Sequence, residues 1–227
     1  MTGKHLAALA VLLLFSSSAS SMVTLVQTND PGWYNNSIGT VLNGTNGGEP
    51  GPFPVSDDRT ASYPEPDLSA ANSALGNWLS IVNTSQLNSN WGTGPIAVPN
   101  SWAVGTEVAV IYQFNTLNAT NVVARFGVDN GIYAWLNGDY IGGSRAGGGV
   151  SLGEHTYNIG DLEAGTYFLQ LLLEDHGSAN GYAVEITADE FIEGPPPAPI
   201  PVPAAIWLFG SALMGLGFSR FFNKSRT

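Results

Sequence analysis

The chain has 227 residues, a formal net charge of −11 and no cysteine, which excludes a disulfide framework, a thiolate metal site and a cysteine nucleophile. All eighteen acidic residues lie between Asp30 and Glu193, where three arginines and no lysine oppose them, so this part carries −15. Such a body repels nucleic acid and anionic membrane surfaces. We interpret the charge as a source of solubility outside the cell rather than as a cation site, because no carboxylates have metal-loop spacing.

Residues 1–21 predict a secretory signal peptide. A cationic start with Lys4 precedes the apolar run Leu6–Phe15, and the small-residue patch Ser16–Ser21 follows. The apolar run is too short to span a bilayer and remain there. Cleavage after Ser20 or after Ser21 satisfies the small-residue requirement equally. We therefore expect residues 22–193 to form an exported domain, large enough for a single core.

The first part of this domain is rich in Gly, Pro and Asn, and its clearest predicted element is a strand at Met22–Gln27. One helix is predicted, at Asp67–Leu79. Its apolar residues would share one face, namely Leu68, Ala71, Leu75 and Trp78. After this segment the spacing of the apolar residues changes.

From about residue 108 the apolar residues recur with a period of two, which is typical of strands. The predicted strands are Val108–Phe114, Val122–Val128, Ile132–Leu136, Tyr167–Leu173 and Tyr182–Thr187. In Tyr167–Leu173, the leucines at 169, 171 and 173 face one way while Phe168, Gln170 and Leu172 face the other. A strand that is apolar on both faces suits the interior of a sandwich. Together with frequent Gly and Asn turns, this predicts an all-β sandwich.

A β-hairpin is predicted around Asn137-Gly138, which separates Ile132–Leu136 from Asp139–Gly142. Asn-Gly tolerates the two positive φ angles of a type I′ turn. The following segment, Gly142–Gly149, is glycine-rich but lacks the lysine of a phosphate cradle, so we interpret it as a loop.

The hairpin sequence Val128-Asp-Asn-Gly-Ile-Tyr-Ala-Trp-Leu-Asn-Gly138 resembles the corresponding hairpin of galactose-binding-like jelly rolls. Trp33–Gly44 and Leu162–Gln170 resemble two further segments of that family, with Thr166-Tyr167 in place of its Asn. The resemblance covers about 150 residues and implies a jelly-roll β-sandwich. Domains of this family often bind sugars and often hold a structural calcium ion, whereas others have no known ligand.

No motif of a serine hydrolase, zinc protease or phosphate-binding loop occurs, so we expect a non-catalytic protein without a catalytic cofactor. His155 and His176 are not spaced for a metal or a catalytic triad, and structural roles are favoured for both. Sugar binding needs aromatic faces beside amides or carboxylates. The candidate ligand-binding residues are Trp33, Trp91, Trp102, Trp135, Asp175, His176, Asn180 and Tyr182. The segment Glu174–Tyr182 combines both kinds of group, whereas for each single tryptophan burial in the core is favoured over exposure.

Residues 194–203 form a proline-rich spacer, which polyproline character keeps extended. Residues 204–227 follow as an apolar segment with a basic tail. The apolar run Ala204–Phe218 would extend about 22 Å as a helix, short of the ~30 Å hydrocarbon core. It predicts a transient tether at least as well as a permanent anchor, with the basic end in the cytoplasm.

This end of the chain resembles the VPLPA-type variant of the PEP-CTERM sorting signal. Ile200 stands where the family motif has Val, and Val202 stands where it has Leu. The matching motif is Ile200, Pro201, Val202, Pro203 and Ala204, followed by Trp207-Leu-Phe-Gly-Ser211 and the basic cluster. In that family an exosortase, a membrane-embedded transpeptidase-like enzyme, recognises the tail in Gram-negative bacteria that make extracellular polysaccharide. The resemblance covers about 25 residues. It implies an exported protein that passes through the inner membrane to the cell surface or biofilm matrix; the alternative is an ordinary tail anchor.

The leading hypothesis is a non-catalytic, exosortase-sorted surface or matrix protein whose sandwich binds polysaccharide. The alternative is a purely structural matrix protein without a specific ligand. A carbohydrate-active hydrolase is the third, because the separation of two catalytic carboxyl groups is a tertiary property that a sequence does not reveal.

Overall fold

The computed structural model describes residues 22–42, 63–146, 150–175 and 179–194. The predicted signal peptide, the sorting motif Ile200–Ala204, the apolar tail and His176 lie outside these residues. The strands are β1 Val23–Gln27, β2 Pro31–Gly39, β3 Ile96–Ala97, β4 Glu107–Leu136, β5 Asp139–Ala146, β6 His155–Leu162, β7 Gly165–Glu174, β8 Gly181–Ala188 and β9 Glu190–Glu193. No helix in the described ranges is long and apolar enough to cross a membrane.

The long strand β4 contributes to both layers of the structure. Its residues 107–116 pair with β2 and β7, and its residues 131–136 pair with the other edge of β7 and with β5. Its middle part, residues 119–129, pairs with β6 and β8, and β8 continues to β1. All these pairings are antiparallel. The prediction of an all-β sandwich is confirmed, although three predicted strands belong to one continuous strand.

The main core lies between the two layers. Alternate residues of β7, namely Leu169, Leu171 and Leu173, face this core and are fully buried. Phe168 and Leu172, on the other face of β7, contribute to a second core cluster. The predicted alternation is therefore confirmed, and the interior position of β7 explains why both its faces are apolar.

The second core cluster covers the outer face of the first layer with residues from the segment 63–100. Trp78 lies at its centre: its ring stacks on Trp91 with centroids 5.7 Å apart and meets Trp135 edge-on at 5.4 Å. The three tryptophans are at most 3% exposed. Burial of these large rings stabilises a segment that has little regular structure of its own.

The predicted helix at 67–79 is shorter than expected. Only Asn72–Leu75 is α-helical (α1), and it is flanked by the 3₁₀ turns Ser69–Ala71 and Trp78–Ser80. Gly76 ends the helix at a φ of 62°. The predicted apolar face is nevertheless correct, because Ala71, Leu75 and Trp78 are buried and Leu68 packs against them.

The predicted hairpin is confirmed. Asn137 and Gly138 have φ angles of 52° and 83°, and Leu136 pairs with Asp139. The interpretation of Gly142–Gly149 as a loop is wrong for its first half, because Gly142 and Gly143 lie in β5. A Cβ on Gly142 would lie 2.2 Å from the Tyr157 ring, so glycine here permits close packing rather than a turn.

Candidate functional site

Four carboxyl-bearing residues lie at one end of the sandwich, which we call the acidic end: Glu107, Asp129, Glu174 and Asp175. Strand register brings them together. Val108 pairs with Leu173, Gly131 pairs with Glu174, and Asp129 pairs with Gly181. The start of β4, an internal position of β4 and the end of β7 thus place polar residues at the same end of the sandwich, beside the start of β8.

Asp175 and Asn180 hold the segment that contains Trp102. The Asp175 Oδ2 atom accepts a hydrogen bond from the Gly105 backbone N–H at 2.6 Å, and the Asn180 Nδ2 group lies 3.5 Å from the same oxygen. The Asn180 side chain also accepts from the Trp102 N–H at 3.0 Å and donates to the Trp102 carbonyl at 3.1 Å. This network joins two chain segments that are distant in sequence.

The Trp102 ring is half-buried and fixed in position. Its Nε1 group donates to the Thr106 carbonyl at 2.8 Å, and its centroid lies 6.4 Å from that of Tyr182. Because the hydrogen bonds hold both its backbone and its indole nitrogen, the exposed part of the ring is presented in one orientation.

Tyr182 belongs to the interior rather than to the surface of the acidic end. It is 2% exposed, and its hydroxyl lies 2.6 Å from that of Tyr112. Burial raises the pKa of both tyrosines, that of Tyr112 to about 12. Both hydroxyls therefore stay protonated at neutral pH and serve a structural hydrogen bond.

Glu107 and Glu174 are both 0% exposed. The carboxyl oxygens of Glu107 have no hydrogen-bond partner on another of the described residues. Burial, and secondly the charge of Glu174, raise the pKa of Glu107 to about 8. A glycosidase needs two carboxyl groups that reach its substrate, and these two do not reach the surface.

The structure brings together only some of the candidate ligand-binding residues. Trp102, Asp175 and Asn180 form one network, and Tyr182 packs beneath it. Trp91 and Trp135 are 1% and 0% exposed in the second core cluster, and the half-buried Trp33 packs against the same cluster. The Trp91 and Trp135 indole nitrogens donate to the Leu75 carbonyl and to Glu65. His155 is buried with its Nδ1 atom 2.8 Å from the Ser144 hydroxyl, which agrees with a structural role.

Sequence reasoning missed Glu107 and the backbone of Gly105. Glu107 precedes the apolar run Val108–Phe114, where an acidic residue predicts an exposed strand end. Its burial depends on the antiparallel pairing with β7, which no local pattern reveals. Nothing in the sequence around Gly105 indicates that its N–H meets a carboxylate 70 residues away.

Among the described residues, no group of three or more His, Asp or Glu side chains has a geometry suited to a metal ion. The structural calcium implied by the resemblance stays a prediction.

Comparison with known proteins gives low similarity throughout. No protein-family model matches, and no curated protein matches. Among solved structures, an anti-sigma factor domain-containing protein matches at 15% identity over 53% of this chain and 47% of its own, with a TM-score of 0.34. A Bifidobacterium dentium β-glucuronidase in complex with coumarin-3-O-glucuronide matches at 15% identity over 70% of this chain and 21% of its own, with a TM-score of 0.37.

A PA14 sugar-binding domain from an RTX adhesin matches at 16% identity over 46% of this chain and 60% of its own, with a TM-score of 0.29. The chain thus spans less than two thirds of each of these structures. Identities and TM-scores at this level say nothing about ligand or activity.

Proposed function

We propose that this chain is an exported, exosortase-sorted protein of the cell surface or extracellular matrix, and that its β-sandwich binds polysaccharide at the acidic end. The observation that carries the binding proposal is the presentation of Trp102 by Asn180 and Asp175. Export and sorting rest on the sequence of the two terminal segments, with the exosortase as the processing partner.

The geometry around Trp102 suits a sugar ring. Pyranoses present an apolar face that packs on aromatic rings, while their hydroxyls bind nearby polar groups. The network through Asn180 and Asp175 fixes Trp102 before any ligand arrives, which lowers the entropic cost of binding. In this proposal Trp102 contacts the sugar, and Asn180 and Asp175 are positioning residues.

The binding proposal is tested with the full chain, purified in detergent and applied to a polysaccharide array with and without calcium. We expect the wild type to bind and Trp102→Ala to lose most of that binding. Leu117→Ala is the control, because Leu117 is an exposed apolar side chain within β4 that takes no part in the network around Trp102. Absence of wild-type binding under both conditions would reject the proposal.

A purely structural matrix protein is the second candidate. It is favoured by the burial of Trp78, Trp91 and Trp135, since the described residues contain no exposed pair of coplanar tryptophans. Such a protein would be incorporated into the matrix while the same array shows no binding. The two candidates therefore differ in a single measurement.

Sorting is tested by expressing the tagged chain with and without an exosortase. We expect cleavage near Ala204 and release from the inner membrane only when the enzyme is present. Replacing Pro201 and Pro203 together by alanine should leave the chain uncleaved in the membrane. Intact chain that stays inside the cell, with both ends untrimmed, would contradict export and sorting together.

A further inference from the structure

An open groove lies at the end of the sandwich opposite to the acidic end, beside the Asn137-Gly138 turn. It has a volume of about 390 Å³ and is bordered by the edge strands β5 and β6. The lining residues used below are Asn137, Asp139, Ile141, Asn158, Ile159 and Tyr167. We call this depression the hairpin groove.

We propose that the hairpin groove is a second glycan site, which takes a segment of a neutral polysaccharide chain and discriminates against polyuronates. This inference rests on the proposed polysaccharide binding and adds a separate site and a ligand class. The volume of the hairpin groove falls within the usual range of small-ligand sites, about 300–1,000 Å³.

The apolar part of the groove is rigid. The half-buried Tyr167 ring stacks on Phe114, with centroids 5.5 Å apart and planes 19° apart. Its hydroxyl donates to the Glu163 carbonyl at 3.1 Å. Ile141 and Ile159 pack beside it against the main core. An aromatic ring fixed among aliphatic side chains suits the apolar face of a sugar and loses little entropy on binding.

The rim carries polar side chains in fixed positions. The Asn137 Oδ1 atom accepts from the Phe168 N–H at 2.8 Å, and the Asn158 Oδ1 atom accepts from the Gly160 N–H at 3.0 Å. Among the described residues no group accepts from either exposed side-chain amide, so its two N–H donors are available to a ligand. The exposed Asp139 carboxylate adds acceptors. Sugar hydroxyls both donate and accept, and this set of donors and acceptors matches them.

A second depression adjoins the hairpin groove and extends it. It has a volume of about 380 Å³, shares Asn137 with the groove, and is lined in addition by Ser80, Ile81, Val82, Thr166 and Phe168. Val82 is 73% exposed there. Two depressions joined at one asparagine fit an extended chain of several sugar units better than a single monosaccharide.

Charge around the groove argues for a neutral ligand. Asp139 lines it, and the exposed residues Asp161 and Glu163 lie on the adjoining strand β6 and the turn that follows. Arg125, which lies in the middle part of β4, forms an ion pair with Glu185 at 3.0 Å, so its charge is already partly neutralised. A polyuronate would meet like charges at this end, and close like charges disfavour association.

The test uses affinity electrophoresis of the full chain in gels that contain a neutral glucan, a galactomannan or polyguluronate. We expect retardation by at least one neutral polymer and none by polyguluronate. Asp139→Ala should weaken retardation about tenfold, the loss of roughly one good hydrogen bond to a charged group. Glu163→Ala is the matched control and should behave as wild type, because its side chain lies outside the groove. In a Trp102→Ala background, where only the hairpin groove remains, Tyr167→Ala should abolish the remaining retardation; if that variant does not fold, Asp139→Ala in the same background decides.

The outcomes separate the two proposals. If Trp102→Ala abolishes binding while Asp139→Ala and a folded Tyr167→Ala bind as wild type, the hairpin groove is not a site, and the acidic end remains one. If polyguluronate retards the wild type more than the neutral polymers do, the ligand class is wrong. If no polymer retards the wild type, both proposals are rejected.

Discussion

Glu107 and Glu174 place two carboxyl groups in the interior at the same end of the sandwich, and neither side chain is exposed to solvent. Burial is the larger cause of the raised pKa of Glu107, and the charge of Glu174 adds to it. Two neighbouring buried carboxyl groups rarely ionise together at neutral pH, since the second charge is unfavourable. The pair is therefore a source of pH-dependent stability.

We predict that the protein loses stability as the pH rises from about 4.5 to about 8. In this window the folded state keeps the Glu107 proton, with a pKa of about 8, whereas the unfolded state has already released it. The unfolded state then binds fewer protons, so the free energy of unfolding decreases with pH, by a few kcal/mol in total. Glu107→Gln removes this titration and should flatten the dependence.

Urea midpoints at pH 5, 6.5, 8 and 9 measure this effect. The difference between wild type and Glu107→Gln isolates Glu107 from other titrating groups, and Glu163→Gln controls for the loss of an exposed carboxylate. A variant with the same slope as the wild type would show that Glu107 is ionised in the folded protein.

The close packing of Gly142 leads to a second prediction. A Cβ on this residue would lie 2.2 Å from the Tyr157 ring, whereas a Cβ on Gly94 would have nothing within 4 Å. Gly142→Ala should lower the free energy of unfolding by about 1–3 kcal/mol through overpacking, and Gly94→Ala should change it little. Thermal unfolding of both variants measures this. Equal melting temperatures would mean that β5 and β6 separate easily.

Elements with a local cause were predictable from the sequence. The turn at Asn137-Gly138 depends on two adjacent residues that tolerate positive φ, and β7 depends on a pattern within seven residues. Gly142 was interpreted incorrectly because the need for glycine comes from the Tyr157 ring that packs against it. Tyr157 lies 15 positions away on another strand. Glycine-rich sequence alone does not distinguish a loop from a strand that another side chain approaches closely.

The candidate site was predictable only in its C-terminal part. Asp175 and Asn180 lie five positions apart, so their proximity follows from the sequence, whereas Trp102 was selected only as one of several aromatic candidates. Its hydrogen bonds with Asn180 span 78 positions. Glu107 could not be identified, because its burial arises from pairing between β4 and β7.

Gln170 provides a third prediction. This fully buried side chain accepts from the Gly138 N–H at 3.0 Å and donates to the Trp78 carbonyl at 2.9 Å, which ties the hairpin turn to the second core cluster. Gln170→Leu leaves both backbone groups without these bonds, at a cost of about 1–3 kcal/mol for each buried group left unsatisfied.

The measurement is the free energy of unfolding from urea titration. Gln27→Leu is the control, because Gln27 is exposed. A Gln170→Leu variant as stable as the Gln27→Leu variant would indicate that water satisfies both groups.

The last prediction separates backbone strain from steric clash at the hairpin. Gly39 and Gly138 both have positive φ, at 62° and 83°. A Cβ on Gly39 would contact nothing within 4 Å, whereas on Gly138 it would lie 2.2 Å from the Leu79 carbonyl oxygen.

Gly39→Ala should therefore lower the free energy of unfolding only by the cost of a left-handed backbone conformation, about 1–2 kcal/mol. Gly138→Ala should cost about 1–3 kcal/mol more, because backbone must move as well. Since the hairpin groove borders this turn, the Gly138 variant should also weaken retardation in the neutral-polymer gels while the Gly39 variant keeps it. Equal stabilities of the two variants would mean that the segment containing Leu79 does not pack against the turn in solution.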